Sequence, residues 1–154
     1  MNHVERAKKL FLDGCNCSQA VFLAFSDVTG IDEKTALKLS SSFGGGMGRM
    51  REVCGAVSGM FMVAGMLYGY DDIDSNSQKK EHYALIQEMA NRFKERHGSI
   101  VCRDLLRSVK TEPGAVPTER TSKFYNERPC TRCVMDAADI MDQVIEEKKL
   151  KVMA

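Results

Sequence analysis

Phe43 to Gly69, FGGGMGRMREVCGAVSGMFMVAGMLYG, is the stretch whose reading decides the fold. It gathers eight of the twelve glycines and five of the ten methionines, with Cys54 at the point where a glycine-rich loop gives way to an apolar segment. From Val53 to Tyr68 no residue is charged. A helix with no polar face has to be covered on all sides, and Gly55, Ala56, Ser58, Gly59, Ala64 and Gly65 let other backbones come close. The stretch predicts a central apolar helix over about residues 52–69, with the remaining chain packed around it.

Working outward, helical spacing continues on both sides. Val4, Ala7, Leu10 and Phe11 form one apolar stripe before Gly14. Asn16 is placed to cap a second helix carrying Cys17, Ala20 or Val21, Ala24 and Val28 on one face, and Asp32 to cap a third with Ala36, Leu39 and Phe43. Beyond the polar run 71–78, Ile86, Met89 and Phe93 mark a long helix that Gly98 ends. Cys102 opens a short helix through Leu105 and Leu106. Residues 108–122 change to Pro, Gly, Thr and Glu and read as loop or linker. A last helix starts near Pro129-Cys130 and runs through Val134, Ala137, Ala138, Met141, Val144 and Ile145 into a lysine-rich turn. No segment alternates with a period of two. The expectation is an all-α, compact helical bundle, a single cysteine-rich domain over residues 1–154.

Composition removes several functional classes. The 22 basic and 21 acidic residues leave a net charge of +1, so no bulk field recommends nucleic acid as a partner. The uncharged run Val53–Tyr68 spans sixteen residues, short of the roughly 20 a membrane helix needs, and no membrane span is expected. The first residues, MNHVERAKKLFL, have no secretory pattern, and a cytoplasmic location is the expectation. Small residues on the central helix permit a homodimer. No paired carboxylates and no Ser/His/Asp order speak for a hydrolase, and a redox or electron-transfer role is preferred to a hydrolase or transferase.

Six cysteines, at 15, 17, 54, 102, 130 and 133, carry the chemistry. Cys17, Cys54, Cys102 and Cys130 each fall in or just before the first turn of a different predicted helix. Unpaired backbone N–H groups and the positive dipole end favour thiolate there. Separations of 37, 48 and 28 residues match no compact local metal motif, so a shared site would have to come from the tertiary fold. Scattered core thiols are the plain alternative. Cys130-Thr-Arg-Cys133 has the form of a redox pair, and Cys15 and Cys17 could join it as four zinc thiolates. The glycine loop fits neither phosphate-loop template, and Gly45 and Gly46 read instead as positive-φ positions that lend backbone donors to sulfur or another anion. His82 and His97 read as packed histidines, the methionines as core filler, and Arg49, Arg51 and Glu52, beside Cys54, as a solvated loop face, with tuning of its charge as the alternative.

Cys17-Ser-Gln-Ala-Val21, the loop Phe43-Gly-Gly-Gly-Met-Gly48, Cys54-Gly-Ala-Val-Ser-Gly59, then Cys102 and a Cys130 ahead of Val134, Ala137 and Ala138 together resemble the C_GCAxxG_C_C family of redox-active proteins. The resemblance covers nearly the whole chain and extends to a domain of split-Soret cytochrome c. It implies a small helical redox protein in which Cys17, Cys54, Cys102 and Cys130 bind a metal or iron–sulfur centre. Two departures stand out: Val53 precedes Cys54 with Gly55 ahead of Ala56, displacing the glycine of the family pattern by one position, and Cys15 and Cys133 are additional.

Three functions follow as expectations. The first is an iron–sulfur centre, most simply [2Fe–2S], on Cys17, Cys54, Cys102 and Cys130, with Cys133 and Cys15 as alternates, serving an unidentified electron-transfer partner. The second is a metal-free thiol–disulfide oxidoreductase using Cys54, Cys130 and Cys133 toward a thiol partner. The third is a structural zinc or helical partner-binding module.

Overall fold

The computed structural model describes residues 1–154. Nine helices are connected by turns and loops: α1 (His3–Leu12), α2 (Cys17–Ala24), α3 (Ser26–Thr29), α4 (Glu33–Ser41), α5 (Gly55–Tyr68), α6 (Asn76–His97), α7 (Cys102–Leu105), α8 (Ser122–Glu127) and α9 (Cys130–Met153). The all-α expectation holds. No helix is long and apolar enough to cross a membrane.

The apolar helix α5 sits where the stretch 43–69 places it, packed on α2 at its amino end and flanked by α9 and α6. Glycine makes the α2 contact possible. A Cβ at Gly59 would stand 2.8 Å from the Ser18 carbonyl oxygen and 3.0 Å from Val21 Cβ, and one at Gly55 would stand 2.9 Å from the Phe43 carbonyl. Around this contact Ala56, Val57, Met60, Val63 and Ala64 are buried against Val21, Phe25, Met89, Phe93, Ile140 and Met141. Each large side chain so covered stabilises the fold by about 1.5–3 kcal/mol.

Four readings are corrected. The central helix begins at Gly55 and not at 52, because Arg51 has φ 60 and residues 52–53 are drawn into an isolated antiparallel bridge, Val53 to Val101. Nor is it covered on all sides: Gly65 is exposed and Met66 is 49% exposed, since α5 runs past its neighbours at the carboxyl end. The second helix stops at Ala24, and Val28 belongs to the separate turn α3, left 38% exposed. Finally, α8 was not anticipated; its cap is Thr121, whose hydroxyl accepts the Phe124 N–H.

The caps on the sequence map do form. Asn16 and Gln19 make a reciprocal capping box on α2, Asp32 caps α4, and Gly30 and Gly98 close α3 and α6 in the left-handed conformation. Together they fix where each helix starts, which decides where the cysteines stand.

Candidate functional site

Cys17, Cys102 and Cys130 are the first residues of α2, α7 and α9, and Cys54 is the residue that precedes α5. The bridge between Val53 and Val101 registers two of them: the Cys54 N–H donates to the Ile100 carbonyl at 2.7 Å and the Cys102 N–H to the Glu52 carbonyl at 2.6 Å. Cys133 lies one turn along α9 from Cys130, on the same face. All five border one cavity of about 450 Å³. Cys15 does not border it; its carbonyl accepts from Arg120 while its thiol is half-buried nearby. No disulfide joins any of the six.

The opposite wall is the glycine loop, folded into a left-handed turn. Gly45, Gly46, Met47, Gly48 and Arg49 have φ of 64, 73, 66, 56 and 65, and Arg51 follows at 60. Met47, Arg49 and Arg51 are held there at a cost of about 1–2 kcal/mol each. The turn is closed by long-range bonds, Arg51 N–H to the Gly45 carbonyl at 3.2 Å and Glu52 N–H to the Gly46 carbonyl at 2.8 Å. The N–H groups of Gly44, Gly45 and Gly46 donate to no protein acceptor, although Gly44 and Gly46 are buried. Successive free N–H groups in such a loop form an anion-binding concavity.

The sequence profile of one family, described as "Putative redox-active protein (C_GCAxxG_C_C)", matches residues 15–144. The chain belongs to this family. The matched span runs from Cys15 into α9 and contains all six cysteines, five of which border the cavity. Neither the curated proteins nor the solved structures contain a match to the chain.

Within this redox-active, cysteine-rich fold the thiols divide into pairs. Cys17 shares its proton toward the Cys130 sulfur and Cys133 toward that of Cys54. Cys130 is brought down to about 7 by the Cys17 S–H, with Arg128, Arg120 and Arg51 adding positive potential. Cys54 is lowered chiefly by the Cys133 S–H, and the backbone N–H groups of Ala56 and Val57 assist, although neither makes a formed cap bond. The donors Cys17 and Cys133 are correspondingly raised. Burial raises Cys102, against the opposing effect of Arg51 Nη1, 3.9 Å from its sulfur.

In metal-free protein, Cys130, half-buried and lowered to about 7, is expected to be the most readily alkylated of the four helix-start thiols. Its lowered value means that thiolate is present above about pH 7 and lost below it, so the alkylation rate should climb with pH and level off past that midpoint. Cys17→Ala removes the donated proton and should move the midpoint upward. Peptide-resolved alkylation across pH 5.5–9 measures both; a midpoint unchanged by that substitution contradicts the pairing.

Sequence reasoning missed the residues that surround the sulfurs. Arg49 and Arg51 are not a solvated loop face. Arg49 grips the 108–122 segment by bonds to the Glu112 and Gly114 carbonyls and the Thr118 hydroxyl, and Arg51 lies beside Cys102. Arg120 and Arg128 also reach the cavity. His97 stands with Nδ1 3.9 Å from the Cys133 sulfur and Nε2 2.8 Å from Asp136, which Arg96 and Arg132 also hold. The only signal for this was Cys133 and Asp136 spaced three apart on one helix. His82, by contrast, does not border the cysteine cavity; it packs from α6 edge-on to Tyr70.

Proposed function

We propose that the protein is a redox carrier whose cavity holds an iron–sulfur centre, most simply [2Fe–2S], on Cys17, Cys54, Cys102 and Cys130, for electron transfer to a partner. One observation supports this above others: sulfurs from four separated parts of the chain border a single cavity whose facing wall offers unengaged N–H groups. Thiolates are the ligands iron–sulfur clusters take, and N–H donors directed at sulfur raise the potential. Gly46 has room for no side chain, since a Cβ there would stand 2.6 Å from Cys102 Cβ, so the loop backbone approaches the sulfurs directly.

A single ion fits less well. Tetrahedral zinc with Zn–S near 2.3 Å draws its sulfurs to within about 4 Å of one another, whereas no group of three or more His, Cys, Asp or Glu side chains here is disposed to hold a metal ion. Ligands divided between two irons need converge only two to each iron, so a cluster on Cys17, Cys54, Cys102 and Cys130 does not require all four sulfurs to meet at one point. Once bound, such a centre would supply one-electron chemistry; the chain's own part is to present thiolates, exclude water behind the 108–122 segment and aim N–H donors at sulfur.

Anaerobic reconstitution with iron and sulfide is the test. Stoichiometric iron and sulfide with visible absorption are expected, retained in Cys15→Ser and lost in Cys17→Ser, Cys54→Ser and Cys102→Ser. Protein that stays colourless and iron-free overturns the reading.

The His97–Asp136 pair favours a second function, thiol–disulfide exchange. His97 can accept the Cys133 proton as Cys54 and Cys133 pass two electrons and two protons to a disulfide substrate and become a disulfide themselves. Mass spectrometry after exposure to an oxidised dithiol would show a Cys54–Cys133 bond; its absence, with all thiols retained, removes this alternative.

A further inference from the structure

The cavity that holds the cysteines is also lined by four arginines, Arg49, Arg51, Arg120 and Arg128, and by no aspartate or glutamate. Elsewhere on the molecule four arginines are paired with carboxylates: Arg92 with Glu88 and Glu147, Arg96 with Asp136 and Asp139, Arg103 with Glu52, and Arg132 with Asp136. Two of the cavity arginines have structural work. Arg49 clamps the 108–122 segment, and Arg120 donates to the Phe11 and Cys15 carbonyls while its guanidinium stacks 4.4 Å from the Phe11 ring centre.

The other two are unengaged. Arg51 Nη2 is buried and has no partner, and its Nη1 makes only the long contact to the Cys102 sulfur. Arg128 lies 4.4 Å over the Phe124 ring and donates to nothing. An unsatisfied charged donor under cover is costly, and a guanidinium presents a planar fork that matches the two oxygens of a carboxylate or phosphate. Gly44, Gly45 and Gly46 line the same space, so their amides report on what enters it.

We propose that this cavity binds a small oxyanion-bearing molecule, a carboxylate or phosphate compound, between the Arg51 and Arg128 guanidiniums, beside the cysteines. The anion's role as redox substrate rests on the cysteine centre proposed above; its binding does not. The molecule's anionic group would sit against the arginines and its remainder against Phe124, Leu105 and Pro117, which give the cavity an apolar side.

The test is a titration of ¹⁵N-labelled protein with sodium phosphate and, separately, sodium succinate, each against sodium chloride of equal ionic strength, with and without prior reconstitution with iron and sulfide. Saturable shifts at the Gly44, Gly45 and Gly46 amides are expected in both forms, with phosphate or succinate stronger according to which oxyanion the fork fits. Arg51→Gln and Arg128→Ala should each weaken binding at least about tenfold. Arg128→Ala removes no protein hydrogen bond, only the stacking on Phe124, and an amide spectrum that otherwise overlays the parent's keeps the test separate from folding. Absence of saturation beyond chloride, or full affinity in both variants, overturns the proposal. So does binding confined to the iron-free form, which would assign the arginines to the cluster's own charge and leave the iron reading standing. Binding without any uptake of iron would support the anion site and remove the cluster.

Discussion

Gly46→Ala is expected to destabilise the protein by about 2–5 kcal/mol and to disperse the cavity's sulfurs. The residue holds φ 73, where alanine costs about 1–2 kcal/mol. The added methyl would also meet Cys102 Cβ at 2.6 Å, Arg51 Cα at 2.8 Å and Glu52 N at 2.8 Å. Two of those atoms are backbone in a turn already closed by hydrogen bonds, so relief requires the chain to move, which adds about 1–3 kcal/mol. Urea unfolding reads the loss; for a chain of this size it corresponds to a melting temperature lower by roughly 5–15 °C. Gly98→Ala is the control, with φ 84 and nothing within 4 Å of the new methyl, and should cost only about 1–2 kcal/mol. Equal losses in the two variants would mean that close approach to Cys102 contributes nothing.

Arg120→Met should release the segment that covers the site. Its guanidinium bonds the Phe11 and Cys15 carbonyls at 3.0 Å each and the Tyr125 hydroxyl at 3.2 Å, and packs against the rings of Phe11 and Phe124. Methionine keeps much of the apolar stem and loses the donors and the charge, a change of about 2–4 kcal/mol localised on residues 108–128. Chymotryptic cleavage at Phe124 and Tyr125 should quicken by about thirty- to several-hundred-fold, because cleavage follows the population of the open segment. Cys130 should alkylate faster in parallel. Unchanged cleavage would show that other contacts hold α8 in place.

The helices were legible where a period and a cap coincide. Asn16 ahead of Cys17, Asp32 ahead of Ala36 and Gly98 after His97 are local signals, and each marks an end in the structure. The placement of four cysteines at helix starts was legible for the same reason. Their meeting around one cavity was not derivable from spacing, because it depends on the Val53–Val101 bridge and on glycine contacts between α2 and α5 that no short window contains. Cys133 was harder still: as the second cysteine of a Cys-x-x-Cys it invited pairing with Cys130, yet its proton is directed to Cys54. Arg49 and Arg51 read as a solvated face because a charge in a loop ordinarily faces water, and only the turn of 44–51 shows which way these face. Arg120 and Arg128 lie in and after a stretch whose composition says only that it is irregular; what orders it is the aromatic cluster of Phe11, Phe124 and Tyr125, residues remote in sequence.

The sulfurs come from positions 17 to 133, so nearly the entire chain must be in place before they meet. Contacts of such high sequence separation are among the last that a folding chain can make. The features that make Cys54 and Cys130 acidic, a neighbouring S–H and nearby guanidinium charge, do not exist until then. On the ribosome, or in any partly folded state, the six thiols are therefore ordinary cysteines. The raised acidity of Cys54 and Cys130, and the selectivity that comes with it, is a property of the finished fold.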